Sequence, residues 1–288
     1  MRKFISQQMP NSSFIIGDAG GTGTQWRLVS NGVIDQFTTV GFNAYTHSLN
    51  ELKEDIGRVF GNKIEKNIPV FFYAAGVDTP QQQKEVKSSL IEIFGDDLYV
   101  ENDLVGVARS LCGKKEGNVC ILGTGANACY YDGKSVNKVG ASLGFILGDE
   151  GSGAYLGKKL LTQLFRDQLS SDIIDIFQKE FDLTSHEVIQ RIYDKPLPNQ
   201  YLASFAPFIY NHRNHPDVYK LIYKSFEDFF AAFFHRSDYS SKAYHFSGSI
   251  AYYFSDTLRQ LGNDKGILIS NIIESPIARL VLYHQEND

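Results

Sequence analysis

The feature that constrains the fold most is a layout that the chain uses twice. In each copy an apolar run leads into a turn of glycine and threonine, and a second run follows that ends in a two-residue turn. The first copy begins at Phe14 and ends at Asn31-Gly32, and the second begins at Val119 and ends at Asp132-Gly133. Asn-Gly between alternating apolar runs is a strong hairpin signal. The repetition predicts two lobes of similar architecture, each with a glycine-rich hairpin.

The first glycine-rich turn is predicted to bind phosphate, although it differs from the commonest phosphate loops. It reads FIIGDAGGTGTQW over residues 14–26. A P-loop needs Gly-Lys-Ser/Thr at the start of a helix, and a dinucleotide-binding turn also opens a helix. Here the turn has no lysine and leads into a strand, which disfavours both. What remains is a hairpin whose tip carries backbone N–H groups, hydroxyls and one carboxylate.

The stretch between the two copies alternates strands and helices. Residues 69–76 read as a buried strand and residues 80–94 as an amphipathic helix with one apolar side. Residues 97–102 predict a further strand, and a helix is expected from Asp103 until Gly113 closes it.

The second half is predicted to be mainly helical. Residues 155–235 read as helices whose aromatic side chains pack in a core. Residues 243–250 predict a strand that enters a helix through small residues, and residues 266–269 predict a strand. The last helix should begin at Pro276, because proline is favoured in the first turn of a helix.

Composition excludes several classes of protein. The 288 residues, 43% of them hydrophobic, suffice for two lobes, and the net charge of −5 argues against a nucleic-acid partner. No apolar run reaches the length of a membrane span, and the first 13 residues lack the apolar segment of a signal peptide, so we expect a loose N-terminus and a cytoplasmic protein. The sparse cysteines Cys112, Cys120 and Cys129 form no C-x-x-C pair, which removes support for zinc or iron–sulfur ligation.

Five segments in order resemble the phosphate-1, connect-1, phosphate-2, adenosine and connect-2 motifs of the actin-like ATPase fold, shared by sugar kinases, actin and heat-shock chaperones. They are GDAGGTGTQ, ENDLVGVA, ILGTGANACYYDG, FSGSIAYYF and SPIARLV. The block ILGTGANACYYDG…LGFILGDEGSG closely resembles the BadF/BadG/BcrA/BcrD ATPase family, which includes N-acetylglucosamine kinases.

The resemblance implies an α/β fold of two ribonuclease-H-like lobes with a helical extension in the C-terminal lobe. The first lobe would comprise residues 1–112, completed by the C-terminal helix at 276–288. The second would comprise residues 113–275, with the helical insertion at about 155–235.

The resemblance also implies an ATP-dependent kinase that phosphorylates a hydroxyl of an amino sugar with Mg²⁺. Asp18 would be a catalytic residue and the metal ligand, acting through water, and its alternative role is to shape the turn. Asp103 would be the general base, and its alternative role is to cap the following helix. Asp103 could do both.

The glycine turns are implied to approach the ATP phosphates, and the turn after residue 246 to lie near adenosine. The residues concerned are Gly20, Gly21, Thr22 and Gly23 in the first turn, Gly123, Thr124 and Gly125 in the second, and Ser247 and Gly248 beside adenosine.

Asn127 and Asp149 resemble the residues that bind the sugar hydroxyls, and Asn43 would cover the sugar from the first lobe; the alternative is that they only shape loops. One segment departs from the family pattern. Where animal N-acetylglucosamine kinases have Gly-Trp-Gly, this chain has Ser142-Leu143-Gly144. The motif therefore does not define the contact to the 2-substituent, and the identity of the amino sugar stays open.

Two other functions compete with the kinase. An ATPase that activates a partner enzyme, as in another branch of this family, would hold an iron–sulfur cluster through cysteines, and the three cysteines do not form such a set. A non-catalytic sensor is disfavoured by the intact Asp18 and Asp103. His212 and His215 lack further ligands, so we expect a surface loop there and no structural metal. The expected partners are an amino sugar and ATP, and a homodimer is expected from family habit alone.

Overall fold

A computed structural model of the chain describes residues 13–64, 68–234 and 242–287. The chain divides into two compact units. The first, called unit 1, comprises Met1–Gly113 and Pro276–Asp288, and the second, unit 2, comprises Lys114–Ser275. The N-terminal segment that the sequence predicts to be loose lies, apart from its last residue, outside the described residues.

Unit 1 contains a five-stranded mixed sheet in the order β3-β2-β1-β4-β5. The first three strands form an antiparallel meander, and β4 and β5 run parallel to β1. The strands are β1 Phe14–Ala19, β2 Gly23–Ser30, β3 Val33–Val40, β4 Val70–Ala74 and β5 Leu98–Asn102. The helices in the same part of the chain are α1 Leu49–Phe60, α2 Pro80–Phe94 and α3 Asp103–Cys112, with a short 3₁₀ turn at Gly61–Lys63.

The predicted hairpin turn between β2 and β3 is confirmed. Asn31 and Gly32 both have positive φ, at 49° and 77°. Asparagine and glycine are the residues that tolerate this conformation best, and two successive positive φ angles match the right-handed twist of the flanking strands. The turn therefore fixes the register in which Ser30 faces Val33.

One face of the unit 1 sheet is closed by a cluster of aromatic rings. The buried ring of Trp26 stacks on Phe72 at a centroid distance of 5.2 Å and packs edge-on against Phe60 at 5.6 Å. Gly17 makes room for it, because a Cβ at this position would lie 2.4 Å from the Trp26 ring. The close packing holds β1, which carries Asp18, against β2 and β4.

Unit 2 repeats the strand order of unit 1 as β8-β7-β6-β9-β10, so the predicted duplication is confirmed. Its strands are β6 Gly117–Leu122, β7 Ala126–Tyr131, β8 Val136–Lys138, β9 Tyr244–Ser247 and β10 Ile269–Ile273. Its helices are α4 Gly144–Leu147, α5 Gly153–Leu164, α6 Ser171–Phe181, α7 Ser185–Asp194, α8 Pro198–Ala203, α9 Ala206–Asn211, α10 Pro216–Phe234, α11 Ser249–Tyr253 and α12 Ser255–Lys265.

The helical character of the region from α5 to α10 is confirmed, and its aromatic side chains form a core. Phe177, Phe208 and Phe226 are all at most 1% exposed. The expected strand at residues 266–269 is wrong in its position, because β10 begins only at Ile269. Gly266 instead has φ 67° and ends α12 in the left-handed conformation that glycine adopts easily.

The last helix, α13 Ile277–Asn287, belongs to unit 1. Its residues Ile277, Leu280 and Val281 are buried against Phe14 and Ile16 of β1. The helix follows Pro276, as the sequence predicts. Within the described residues, no helix is both long enough and apolar enough to cross a membrane.

Candidate active site

The first glycine turn connects β1 to β2 in unit 1 and is held by backbone hydrogen bonds within the turn and from the segment after β3. The Gly20 N–H donates to the Gly23 carbonyl at 3.1 Å, and the Phe42 N–H donates to the Gly20 carbonyl at 3.0 Å. Gly41 permits this approach, since a Cβ there would lie 2.6 Å from the Gly21 oxygen. Gly20 and Thr22 remain exposed at the tip. The result is a well-fixed hairpin that presents backbone groups and one hydroxyl.

The second glycine turn connects β6 to β7 in unit 2 and packs on the start of α5. The Gly153 N–H donates to the Gly123 carbonyl at 2.8 Å, and the Ala154 N–H donates to the Thr124 carbonyl at 3.1 Å. The Ser152 hydroxyl accepts from the Tyr155 N–H and so caps the same helix. These bonds satisfy the free N–H groups of the first helical turn. The same bonds hold the GDEGSG segment, residues 148–153, against the second glycine turn.

Two carboxylates of unit 1 interact electrostatically. Asp18 lies in β1 just before the first glycine turn, and Asp103 is the first residue of α3, directly after β5. Both are half-buried. Burial, with a further contribution from the charge of Asp103, raises the pKa of Asp18 to about 7. A cation beside Asp18 would relieve this repulsion.

Asp103 is not the N-cap of α3, so that alternative role is wrong. The cap is Asn102, whose Oδ1 accepts from the Leu104 N–H at 2.9 Å. Asp103 Oδ1 also accepts from this N–H, at 2.8 Å. With Asn102 at the cap position, the Asp103 carboxylate sits in the first helical turn, where the helix dipole favours its charge.

The predicted sugar-binding residues of unit 2 surround Ala126. Asp149 Oδ1 accepts from the Ala126 N–H at 3.2 Å, and the Ser142 hydroxyl donates to the Ala126 carbonyl at 3.3 Å. Asn127, the next residue, accepts from the Ala128 N–H at 2.9 Å. Gly125 leaves space, because a Cβ there would lie 3.0 Å from Asp149 Oδ2. The structure therefore brings Asn127, Ser142 and Asp149 together.

Asp149 has an unusual backbone conformation and a carboxylate with a raised pKa. Its φ is 57°, in the left-handed region, and only 8% of its surface is exposed. Burial raises its pKa to about 6 against the opposing hydrogen bond from Ala126. A residue with positive φ and a desolvated carboxylate costs stability, and such costs concentrate at functional sites.

Leu143 and Gly144 are not part of the cluster around Ala126. Leu143 is 56% exposed, and Gly144 has φ 69° where it opens the short helix α4. Lys158 of α5 donates to the Phe145 carbonyl at 2.8 Å and ties α4 to α5. A role for Leu143 and Gly144 in sugar recognition stays a prediction.

Asn43 follows β3 in the chain and lies beside the carboxyl end of β4, within unit 1. It forms a parallel bridge with Ala75, and its Oδ1 accepts from the Tyr45 N–H at 2.9 Å. Gly76 has φ 74°, and a Cβ on it would lie 2.6 Å from Asn43 Oδ1. The Ala75 N–H donates to the carbonyl of Ala19, the residue after Asp18. Asn43 is thus placed close to the end of β1.

His47 contacts the first glycine turn, and no motif in the sequence indicates this. Its ring hydrogen-bonds the backbone of Gly21 in the first glycine turn, and its Nδ1 lies 2.9 Å from the Thr46 hydroxyl. Burial lowers the pKa of His47, which favours the neutral ring. No spacing signal in the sequence connects this histidine with the glycine turn, because the contact depends on how the 43–47 segment folds back.

The turn at Ser247-Gly248 runs close to the second glycine turn. Ser247 ends β9 and is 2% exposed, and the Gly248 N–H donates to the Ile273 carbonyl at 3.0 Å. Gly248 has φ 115°, and a Cβ on it would lie 2.3 Å from the Leu122 carbonyl oxygen. Only glycine fits this approach.

The chain is similar to known sugar kinases. The crystal structure of a candidate N-acetylglucosamine kinase from Porphyromonas gingivalis has 36% sequence identity and a TM-score of 0.88, over 95% of this chain and 99% of that one. This chain belongs to the same family, that of the N-acetylglucosamine kinase-like proteins with the actin-like ATPase fold. The predicted family and the predicted α/β fold are therefore confirmed.

Of two further comparisons, the first agrees with the family and the second with the fold. An N-acetyl-D-glucosamine kinase from Dictyostelium discoideum is 28% identical over 145 residues, which span 47% of this chain and about half, 46%, of that protein. A Streptomyces griseus glucokinase of the ROK family, solved with glucose and AMPPNP, shares the fold at 15% identity and a TM-score of 0.58, over 94% of this chain and 98% of that one. No family model matches the chain.

Proposed function

We propose that this protein is an ATP-dependent kinase that transfers a phosphoryl group to a hydroxyl of an amino sugar of the N-acetylglucosamine class. The observation that carries the proposal is the carboxylate pair of Asp18 and Asp103 beside the first glycine turn, in a chain of this family. Phosphoryl transfer needs positioned phosphates, charge neutralisation and a group that takes the proton of the acceptor. The glycine turn would position the phosphates, Asp18 would hold the neutralising cation, and Asp103 would take the proton.

Asp103 is the proposed general base. Its carboxylate would accept the proton of the sugar hydroxyl while the hydroxyl oxygen bonds to the γ-phosphorus of ATP. The bond between this phosphorus and the β,γ-bridging oxygen breaks, and ADP leaves. The start of α3 suits the base, because its side chain is half-buried and the Asn102 cap fixes the helical turn that carries it.

Asp18 is the proposed ligand for Mg²⁺. Burial, and after it the neighbouring charge of Asp103, raise the pKa of Asp18. A divalent cation beside the two carboxylates would offset both effects, so the residues present fit such a cation. Within the described residues, no three metal-ligating side chains cluster, which agrees with an ion held chiefly by phosphate oxygens and water. When bound, Mg²⁺ would neutralise charge on the phosphates.

The glycine turns are the proposed phosphate sites. Gly20 to Gly23 in unit 1 and Gly123 to Gly125 in unit 2 would each approach the phosphates with backbone groups and a threonine hydroxyl, Thr22 or Thr124. His47 would position the first turn through its bond to Gly21. Ser247 and Gly248 would lie beside adenosine, where the absence of a side chain on Gly248 lets the base approach.

The sugar would be held by polar groups of unit 2. Asn127 and Asp149 would bind its hydroxyls, with Ser142 beside them. A role of Asn43 in covering the sugar stays a prediction. Ser142 and Leu143 stand where animal N-acetylglucosamine kinases have glycine and tryptophan, and Leu143 with Gly144 would decide which 2-substituent fits. Because Asp149 accepts from the Ala126 N–H through Oδ1 only, its Oδ2 can accept a sugar hydroxyl.

The direct test of the substrate class is ADP formation with a panel of acceptors. We expect turnover with N-acetylglucosamine or glucosamine that exceeds the rate with N-acetylmuramic acid, N-acetylmannosamine or glucose by at least about tenfold, the discrimination that one well-placed polar contact gives. ATP hydrolysis without any dependence on sugar would support the partner-activating ATPase instead. That alternative has little structural support, since Cys120 and Cys129 lie in β6 and β7 while Cys112 belongs to unit 1.

Replacing Asp149 with asparagine is expected to stabilise the protein at neutral pH while it weakens sugar binding. The folded-state pKa of about 6 lies above the ordinary 3.8, so the stability that Asp149 contributes is complete below about pH 4 and is lost as the pH rises through about 6. Asparagine avoids this loss, which amounts to at most about 3 kcal/mol. Urea unfolding over roughly pH 3 to 8, a range that brackets both pKa values, measures the difference.

The matched control is Asp182→Asn. Asp182 also has positive φ, at 47°, but it is exposed at the end of α6. We expect this variant to change the free energy of unfolding less than Asp149→Asn does, because Asp182 is exposed. An equal gain for both variants, or a gain for Asp149→Asn that does not grow with pH, would contradict the assigned state of Asp149.

A further inference from the structure

Unit 1 contains a cavity of about 260 Å³ that involves none of the proposed phosphate or sugar residues. The parallel register of β4 and β5 places Phe71 beside Tyr99 and Tyr73 beside Glu101 on one face of the sheet. Helices α3 and α13 cover part of this face, and the cavity lies where they leave it open. Arg109 of α3 and His284 of α13 complete its lining, with Tyr283.

Arg109 brings a positive charge to this cavity without an ion-pair partner. It is half-buried, and among the described residues no carboxylate lies within salt-bridge distance of it. Its Nη1 donates to the Tyr73 hydroxyl at 2.8 Å, and its guanidinium lies 5.7 Å and 5.8 Å from the ring centres of Tyr73 and Tyr283. A guanidinium has five N–H donors. The remaining donors suit an oxyanion, which a guanidinium binds with two parallel hydrogen bonds.

The Tyr73 hydroxyl that contacts Arg109 does not neutralise its charge, and the carboxylate of Glu101 acts on Arg109 electrostatically without forming an ion pair with it. Burial raises the pKa of Tyr73 to about 12, so its hydroxyl keeps its proton. That hydroxyl also bonds Nε2 of His284 at 2.8 Å, and His284 is only 3% exposed. The buried His284 therefore fixes the Tyr73 hydroxyl, and this hydroxyl holds the guanidinium of Arg109 in place.

The opposite side of the cavity has the chemistry of a sugar site. The ring of Tyr99 is 53% exposed and stacks on Phe71 with a centroid distance of 5.3 Å, so Phe71 supports an aromatic surface that reaches solvent. The Nζ of Lys87 lies 5.9 Å from the centre of the same ring. Glu101 Oε2 accepts from Gln83 at 3.3 Å, and the other carboxylate oxygen can accept from a hydroxyl. The negative charge of Glu101 disfavours a second anionic group on the same ligand.

We propose that this cavity is a second ligand site, which binds a small sugar that carries a single oxyanion group, either phosphate or carboxylate. The oxyanion binds Arg109, the sugar hydroxyls bind Glu101, and the sugar ring lies against Tyr99. The site is formed by unit 1 alone, and binding there requires neither ATP nor phosphoryl transfer.

Fluorine NMR of the full chain labelled with fluorotyrosine tests this proposal, because it observes the cavity and not the proposed active site. The spectrum of Tyr99→Phe identifies the Tyr99 resonance. N-acetylglucosamine 6-phosphate and glucuronate represent the two kinds of oxyanion, with neutral N-acetylglucosamine and inorganic phosphate as comparisons. We expect at least one of the two anionic sugars to shift the Tyr99 resonance saturably. The resonance of Tyr193, an exposed residue of unit 2, should stay in place.

Two variants decide which groups bind. Arg109→Met should weaken the binding of the anionic sugar about tenfold or more, the effect of losing a charge-assisted bidentate contact. Glu101→Gln should weaken the sugar but strengthen inorganic phosphate, because the repulsion is removed while the hydroxyl acceptor is impaired. The other tyrosine resonances report whether each variant is folded, and Arg109→Lys replaces Arg109→Met if that variant unfolds.

A Tyr99 resonance that no probe moves at millimolar concentration would overturn the proposal. So would equal affinity in the wild type and the folded Arg109 variant, or binding of inorganic phosphate as tight as that of the sugar. If the Tyr99 resonance shifts but the chain has no kinase activity, the second ligand site is established and only the proposed kinase function is refuted.

Discussion

Replacing Asp103 with asparagine is expected to lower the kcat of sugar-dependent ADP formation by about a thousandfold, in the range that a general base contributes. Asparagine keeps the size and the hydrogen-bonding oxygen of the side chain but cannot take the proton. The KM values for sugar and ATP should change less than about threefold, because the interaction is made in the transition state. Initial rates at saturating ATP and varied sugar give both quantities.

Structural damage is a weak alternative explanation for such a loss. Asn102 caps α3, so Asp103→Asn should change the free energy of unfolding by less than about 1 kcal/mol. The matched control is Asp96→Asn, an exposed carboxylate in the loop before β5. Its kcat should equal that of the wild type. A kcat for Asp103→Asn within a few-fold of the wild type would remove Asp103 from the role of base.

Replacing Gly248 with alanine is expected to cause a large loss of stability. The backbone at Gly248 has φ 115° and ψ 155°, a conformation that is almost restricted to glycine, and a Cβ would lie 2.3 Å from the Leu122 oxygen. The strain and the clash together should cost about 3 to 5 kcal/mol. Because the clash involves backbone on both sides, no side-chain rotation can relieve it. Far-UV circular dichroism during urea unfolding measures the change.

The variant Gly266→Ala separates the cost of the positive φ from the cost of the steric clash. Gly266 also has positive φ, at 67°, but the space that a methyl group would occupy is open, with no neighbouring atom within 4 Å. We expect a cost of about 1 kcal/mol from the left-handed conformation alone. Trp26, the single tryptophan of the chain, lies in unit 1, so its fluorescence reports on that unit separately. Equal losses for both glycine variants would contradict the close approach of Gly248 to β6.

Local signals made part of the fold predictable from the sequence. The helix at residues 80–94 has both ends marked, by the capping box of Thr79 with Gln82 and by Gly95 after its last residue. The hairpin at Asn31-Gly32 follows from residues that tolerate positive φ. In such places one short segment determines its own conformation, because its hydrogen bonds are made within a few residues.

Other features depend on contacts between distant segments, which no local pattern reveals. The helix α12 extends to Lys265 and is ended by Gly266, so the strand β10 can begin only after this glycine, at Ile269. The contact of His47 with Gly21 depends on how the loop after β3 folds back. The cavity at Arg109 requires the register of β4 with β5 and the return of α13 to unit 1.

The candidate site was predictable only in its motifs. The sequence indicates the two glycine turns and the carboxylates, because glycine and aspartate stand out at the ends of apolar strands. It does not reveal that Asn102 replaces Asp103 as the helix cap, nor that Asp149 accepts from Ala126. Both depend on the placement of individual oxygen atoms, which burial and backbone conformation decide together.

The most direct test of the proposed kinase activity is mass spectrometry of the sugar after incubation with the protein, ATP and Mg²⁺. We predict that N-acetylglucosamine or glucosamine gains one phosphoryl group in step with the ADP formed, and that Asp103→Asn abolishes the gain while Asp96→Asn preserves it. ADP formed without any phosphorylated sugar, or phosphorylated sugar formed equally by Asp103→Asn, would contradict the account.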